Sequence, residues 1–159
     1  MNRRLLLLPI IAVATLPLSL LAEKVDMPPQ ALRETATHVV RGEVASIYHH
    51  METKGHWQYT KYIAEIRVTA VEKGTAIKHG ALVYARYWTR KWVGKPNFFT
   101  TGTAGHRGLP KQGDSIRVFL ARYAYDGFTK GNMDGGFNVI GANGFEDLVN
   151  PAPPNPLGF

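Results

Sequence analysis

Apolar and polar residues alternate along most of the chain after residue 38, which is the pattern of β-strands that bury one face. In a first strand, for example, Val40 and Val44 would share one face while Arg41 and Glu43 point the other way. The alternation predicts five strands in all, at 39–50, 57–73, 81–90, 115–122 and 137–142.

The segments between these strands are rich in glycine and polar residues, which indicates turns and loops. We predict turns at 51–56 and 74–80, a long irregular connection at 91–113 and another connection at 126–136. Before the first strand, Pro28 and Pro29 could start one short helix at 27–38. Its inward positions would be Ala31, Leu32, Thr35 and Ala36.

Five strands with a long connection between the third and the fourth favour a small closed barrel. Closure removes the unpaired edges that an open antiparallel sheet would leave. Gly42 lies inside the first strand, where a residue without a side chain suits the sharp coiling of a small barrel.

The chain begins with a pattern of a different kind. Arg3 and Arg4 precede an apolar run over 5–22, and charge returns at Glu23. A basic start, an apolar centre and a small residue before a polar segment predict a secretory signal peptide at 1–22, cleaved after Ala22. The alternative is an uncleaved membrane anchor, but the run is near the lower limit of about 17–25 residues for a span. Its two prolines also weaken a helix.

These patterns divide the chain into a signal peptide at 1–22, a barrel domain at 23–147 and a proline-rich tail at 148–159. The expected location is secreted or periplasmic, within the cell envelope, with no stable membrane span after cleavage. Without Arg3 and Arg4, 17 basic side chains face 12 acidic ones, a net charge of about +5. The chain has no cysteine, so disulfides, thiolate metal sites and thiol nucleophiles are all excluded.

Four segments resemble netrin-like modules, the OB-fold class that includes the tissue inhibitors of metalloproteinases. The stretch His38-Val-Val-Arg-Gly-Glu-Val44 is similar to their opening strand, and Ile66-Arg-Val-Thr-Ala-Val-Glu-Lys-Gly74 to their second strand with its Lys-Gly turn. Gln112-Gly-Asp-Ser-Ile-Arg-Val-Phe-Leu120 resembles a later strand, and Phe137-Asn-Val-Ile-Gly-Ala-Asn-Gly144 the closing one. The resemblance covers about 38–145.

This resemblance implies a mainly β protein: a five-stranded OB-like barrel, closed or partly open, with one short N-terminal helix after the signal peptide. The inhibitors in the class chelate a protease zinc through an N-terminal cysteine. Here the expected mature start is Glu23 and no cysteine exists, so inhibition by that route is not implied. What the resemblance implies is an exported binding domain, and a fold does not by itself define a function.

The third strand carries the most unusual local composition, because aromatic and basic residues are interleaved along it. Such a surface can stack on sugars or bases while its cations pair with anions. OB-folds bind ligands on this part of the barrel. The alternative is packing, in which the aromatic rings close one end of the barrel. The candidate ligand-binding residues are Tyr84, Arg86, Trp88, Arg90, Lys91 and Trp92.

A glycine-rich loop at 100–108 offers backbone donors and one cation. It could cradle a phosphate or sulfate through Gly105, His106 and Arg107. The loop lacks the spacing of a Walker motif or a dinucleotide fingerprint. The alternative is an ordinary surface loop.

Catalytic and metal-binding patterns are sparse. His50 and His56 flank one predicted turn and could meet there with Glu52 around zinc or copper, although exposed turn histidines are the simpler interpretation. The serines left after cleavage, Ser46 and Ser115, lie outside any nucleophile motif. We therefore assign no catalytic residue, no metal ligand and no cofactor.

Together these features predict an exported, non-catalytic binding or interaction module that uses a basic aromatic face. An anionic polysaccharide or a protein would be its partner, whereas export disfavours nucleic acid. The alternative is a metal-binding exported protein or a small hydrolase that uses histidines. The sequence does not define the oligomeric state.

Overall fold

A computed structural model describes residues 24–95, 103–122 and 136–149. The predicted signal peptide and the proline-rich tail beyond residue 149 lie outside the described residues. So do the start of the loop at 100–108 and nearly all of the predicted connection at 126–136.

The described chain is mainly β-structure with one short helix, as the alternating pattern predicts. In chain order its elements are α1 (Pro29–Thr35), β1 (His38–Lys54), β2 (Trp57–Lys73), β3 (Leu82–Trp92), β4 (Thr103–Gly105), β5 (Ser115–Ala121), β6 (Phe137–Val139) and β7 (Phe145–Asp147).

Five of the strands pair in a ring. Its order is β1, β2, β3, β6 and β5, and β5 pairs in turn with the first half of β1. The β3–β6 pair is parallel, whereas the other ring pairs are antiparallel. The two short strands outside the ring extend it, since β4 pairs with β3 and β7 pairs with β5.

The inner face of the ring is the main hydrophobic core. Ile116, Val118 and Leu120 of β5 are all buried, as their alternation predicts. Tyr87 of β3 is the largest fully buried side chain. A second apolar cluster lies outside the ring, where Leu32 of α1 packs with residues of β1 and β5. The rest of the main core is formed by Val40, Val44, Ala64, Ile66, Val68, Ile77, Val83, Ala85, Phe137, Val139 and Phe145.

Gly42 lies where β1 must bend between its two neighbours. Register irregularities occur on both sides of it, between Arg41 and Gly42 and between Val44 and Ser46. A Cβ atom at position 42 would lie 2.6 Å from Cγ2 of Ile66. Glycine is therefore required there, as strand coiling predicts.

The first hairpin is longer than the sequence suggests. The predicted turn at 51–56 is wrong, because β1 continues to Lys54 and Lys54 pairs directly with Trp57. Only Gly55 and His56 form the turn, and Gly55 has a positive φ of 61°. A two-residue turn of this kind matches the twist of two antiparallel strands. The hydrophobic alternation fades because this part of the hairpin is exposed on both faces.

Other boundaries also differ from expectation. The helix is shorter than 27–38, and Thr35 is exposed, although Leu32 and Ala36 are buried as predicted. The strand expected at 137–142 ends at Val139. The pattern predicts neither β4 nor β7, since a strand of three residues is too short for alternation to reveal it.

Glu72, near the end of β2, joins several elements through its carboxylate. Arg33 of α1 donates to it at 3.1 Å and Arg41 of β1 at 2.6 Å. Arg117 of β5 donates to it at 3.0 Å and also to Glu146 of β7 at 2.6 Å. Partial burial by itself raises the pKa of Glu72, but the hydrogen bonds from the arginines outweigh it and hold that pKa below its ordinary value.

Replacing Glu72 by glutamine should lower the free energy of unfolding by about 1–3 kcal/mol, because three guanidinium groups lose a shared negative charge and one of its two acceptor oxygens. The lowered pKa means that the carboxylate stabilises the native state above its ordinary titration range, and that this contribution is lost as the pH falls through the folded-state pKa. Urea unfolding at pH 7 and at lower pH would measure both effects.

Glu65→Gln is the matched control, since Glu65 lies on the same strand and has one long contact, 3.4 Å from the Tyr48 hydroxyl. Equal losses in the two variants would contradict the assigned role of Glu72.

Candidate functional site

The alternation of β3 places its aromatic and basic residues away from the core. Val83, Ala85 and Tyr87 are buried inside the ring, so the intervening residues point outward. We call the outward side of β1, β2 and β3 the outer face. Of the candidate ligand-binding residues, it carries Tyr84, Arg86, Trp88, Arg90 and Trp92.

Lys91 is the exception among those candidates. Lys91 falls on the alternate positions of β3, so its side chain points away from the outer face; it is exposed and pairs with Gln58 of β2. It therefore lies on the other side of the ribbon from the five residues of the outer face.

The outer face continues onto β2. Cross-strand pairing places Trp57 opposite Trp92 and Tyr59 opposite Arg90. Directly opposed residues of an antiparallel pair lie on the same side of the sheet. Both Trp57 and Tyr59 alternate with the interior residues of β2, so the alternation itself could have identified them.

The end of the outer face forms a compact group, which we call the tip cluster: His56, Trp57, Arg90 and Trp92. The guanidinium carbon of Arg90 lies 4.7 Å from the centre of the Trp57 ring. The Trp57 and Trp92 rings meet edge to face at 5.1 Å, and His56 lies 5.1 Å from Trp92. The indole nitrogen of Trp92 donates to the Lys95 carbonyl at 3.0 Å.

Arg90 has no carboxylate partner among the described residues. Its Nε atom is buried and makes no hydrogen bond. By contrast, Lys54 and Lys61 share Glu52 on the same face, at 3.2 and 2.8 Å. Arg90 is therefore a cation held by aromatic stacking, and its Nε has no hydrogen-bond partner among the described residues.

Arg86 and Trp88 lie further along β3 and are half-buried. The Arg86 guanidinium is close to Gly136, since a Cβ atom there would be 2.9 Å from its Nη2. Trp88 meets His106 edge to face at 6.3 Å. Tyr84, at 46% exposure, is the most open of the candidates on this face. The face is thus partly packed against its surroundings and partly accessible.

Two backbone donors of the proposed anion loop are engaged within the fold. The N–H of His106 donates to the Trp88 carbonyl at 2.9 Å, and that of Arg107 to the Ala142 carbonyl at 2.7 Å. The Arg107 side chain pairs with Asp26 at 3.2 Å. Gly105 belongs to β4, and backbone atoms of β3 occupy the space that a side chain at position 105 would need. This arrangement disfavours an anion cradle at these three residues.

His106 is instead a buried link between β3, β6 and the N-terminal segment. Its Nδ1 lies 3.0 Å from the Trp88 carbonyl, and its Nε2 lies 3.1 Å from the Val139 carbonyl and 3.0 Å from Nζ of Lys24. Burial and then the nearby Lys24 charge lower the pKa of His106 to about 4. The imidazole is therefore neutral at physiological pH.

The predicted turn histidines are separated by the long hairpin. His50 pairs with Lys61, whereas His56 lies in the turn beyond Lys54. At about 3.4 Å per residue, four strand residues place them roughly 14 Å apart. In the described part of the chain, no group of three or more histidine, aspartate or glutamate side chains could hold a metal ion.

Comparison of the chain with protein-family models, with curated proteins and with solved structures found no match in any of the three. Among the described residues, no helix has the length and apolar character needed to cross a bilayer.

His106→Gln should remove a pH dependence of stability. Between pH 6.5 and about 4 the unfolded chain binds a proton at this position and the folded protein does not. The wild-type free energy of unfolding should therefore fall by about 1.4 kcal/mol per pH unit in this window because of His106. Chemical unfolding at pH 7, 6 and 5 would measure the slope in both proteins.

His79→Gln provides the control, because His79 is exposed. It should keep the wild-type slope. A slope that is unchanged in His106→Gln would show that another group carries the pH dependence.

Proposed function

We propose that this chain is an exported, non-catalytic binding module that uses its outer face to bind an anionic glycan. The observation that carries the proposal is Arg90, a stacked cation with no carboxylate partner in the described structure. A sugar carboxylate or sulfate would pair with this cation through a charge-assisted hydrogen bond.

The aromatic neighbours support a sugar as the carrier of that charge. Trp57 and Trp92 border Arg90, and Tyr59 lies directly opposite it. Flat rings with a polar edge offer apolar area to the C–H faces of a sugar and keep a hydrogen-bonding group at the rim. The tip cluster therefore combines a cation for the acidic group of a sugar with aromatic rings for its C–H faces.

We also propose that the ring is an OB-like barrel of the netrin-like kind. The five-stranded ring and the resemblance of the four segments between His38 and Gly144 support this assignment. OB-folds use the face of their second and third strands and the adjacent loops for ligands. In this chain the corresponding strands, β2 and β3, carry the tip cluster.

Export is proposed from the sequence of 1–22 alone, and it places the protein where polysaccharides occur outside the cytoplasm. A basic mature chain also favours association with polyanions. A protein partner is the second interpretation of the same face, and competition between a captured protein and the glycan would separate the two.

Arg90→Gln should weaken binding to a sulfated or carboxylated polysaccharide by about tenfold, because a charge-assisted hydrogen bond contributes about 1.5–3 kcal/mol. Titration of the purified protein with heparin and with polygalacturonate, each at two salt concentrations, would measure the loss. Uncharged dextran should bind far more weakly than either polyanion.

Arg67→Gln is the matched control, since Arg67 is an exposed cation on the same face, opposite Leu82 and away from the tip cluster. This variant should bind the polyanions almost as tightly as the wild type, with a smaller dependence of the affinity on salt concentration. Equal weakening by both variants would indicate unspecific charge attraction. A wild-type protein that binds neither polyanion would overturn the proposed function.

A further inference from the structure

Strand β1 is paired along both edges for only part of its length. Its first residues, from His38 to Glu43, pair with β5 on one side, and from Val39 onward they also pair with β2 on the other. The backbone of Val44 adds two bonds, to Asp114 and Gly113. Beyond the irregularity at Val44 and Ser46, β2 continues alone as the partner.

The second half of β1 therefore presents an open edge, which we define as Ser46–Lys54. No described strand pairs with it on the side away from β2. Tyr48 and Met51 within it are 54% and 51% exposed, which is high for large apolar residues. Nine residues of strand extend about 30 Å. Such an edge offers a row of unpaired N–H and C=O groups and is a template for another strand.

We propose that the open edge pairs antiparallel with the same edge of a second copy of this chain, around a two-fold axis through Met51. This register sets His50 of one copy opposite Glu52 of the other, twice by symmetry. It also sets Lys54 opposite Tyr48, so that a cation meets an aromatic ring. The edge is thus complementary to itself, as an isologous interface requires.

Neighbouring registers lack this complementarity. Moving the axis to Glu52 would place the two Glu52 carboxylates directly opposite each other. Moving it to His50 would oppose the two His50 rings and leave Glu52 facing Tyr48. Like charges directly opposed across strands are destabilising, so charge selects the register centred on Met51.

The paired edges would join the two three-stranded ribbons into one six-stranded sheet. An axis perpendicular to the sheet keeps both outer faces on the same side. The dimer rests only on the geometry of β1 and does not depend on the proposed function. If that function also holds, the two tip clusters would lie on one continuous surface and could bind the same polymer.

The lack of cysteine makes the interface directly measurable, because a single introduced thiol can carry a spin label. The purified protein should sediment with twice the chain mass at high concentration. Labels at Met51→Cys should lie within about 20 Å of each other across the axis, whereas labels at Tyr84→Cys should be about 40 Å apart from strand spacing. Tyr84 is the control because it is exposed on β3, away from the edge.

Charge reversal gives a second measurement. Glu52→Lys should weaken the dimer several-fold, since the introduced ammonium group would face His50 of the second copy and lie beside Lys54 and Lys61, which lose their shared carboxylate. His50→Glu combined with Glu52→Lys should restore the dimer, because the new carboxylate at position 50 would face the new ammonium group at position 52. Urea midpoints of the variants would show that each chain is still folded.

Three results would overturn the inference. The first is a monomer at every concentration. The second is a dimer in which the Met51 labels lie farther apart than the Tyr84 labels. The third is slow hydrogen exchange of the amides at 46–54 at concentrations too low for a dimer, which would show that the chain covers its own edge.

Discussion

The fold depends on one strand that pairs with two partners in different directions. β1 closes the ring by pairing with β5 through its first residues and with β2 from Val39 to Lys54. A straight strand cannot pair with both β5 and β2 in this way, so β1 changes register at Gly42 and again at Ser46. Gly42 permits this because the β2 backbone at Arg67 occupies the space of a side chain. Without that bend, the core inside the ring would lose one wall.

The same bend separates a buried half of the molecule from an exposed half. Before Ser46, Val40 and Val44 are fully buried within the ring. After it, β1 and β2 project as a hairpin whose residues near Met51 are exposed on both faces. Closure of the ring thus produces the two surfaces on which the proposals rest, the outer face and the open edge. Neither surface is part of the main core.

The hydrophobic pattern predicted the elements that face the core and failed where no core is present. The bounds of β2 agree with the structure because its alternation continues along a buried face, with Ala64, Ile66 and Val68 inside. The pattern wrongly predicts a turn at the hairpin end because the polar residues there carry no burial signal, although backbone pairing persists to Lys54. The strands β4 and β7 are too short to show a period.

The sequence could predict which residues of the candidate site share one side of the sheet, but not which residues they contact. Alternation along β3 correctly groups Tyr84, Arg86, Trp88 and Arg90, and the same reasoning on β2 would have added Trp57. The burial of His106 had no sequence signal, because it arises from contacts with Trp88 and Val139, both distant in sequence. A glycine-rich segment with a histidine looks like a surface loop until its partners are known.

The state of Arg90 indicates why the tip cluster is unusual. A guanidinium nitrogen that is buried without an acceptor reduces stability, and natural structures rarely leave such a group unsatisfied. Stacking on Trp57 offsets part of that cost and supplies no acceptor. The core does not require this arrangement, since the tip cluster belongs to neither buried apolar cluster. The proposed anionic glycan would add a charge-assisted hydrogen bond to the same guanidinium group.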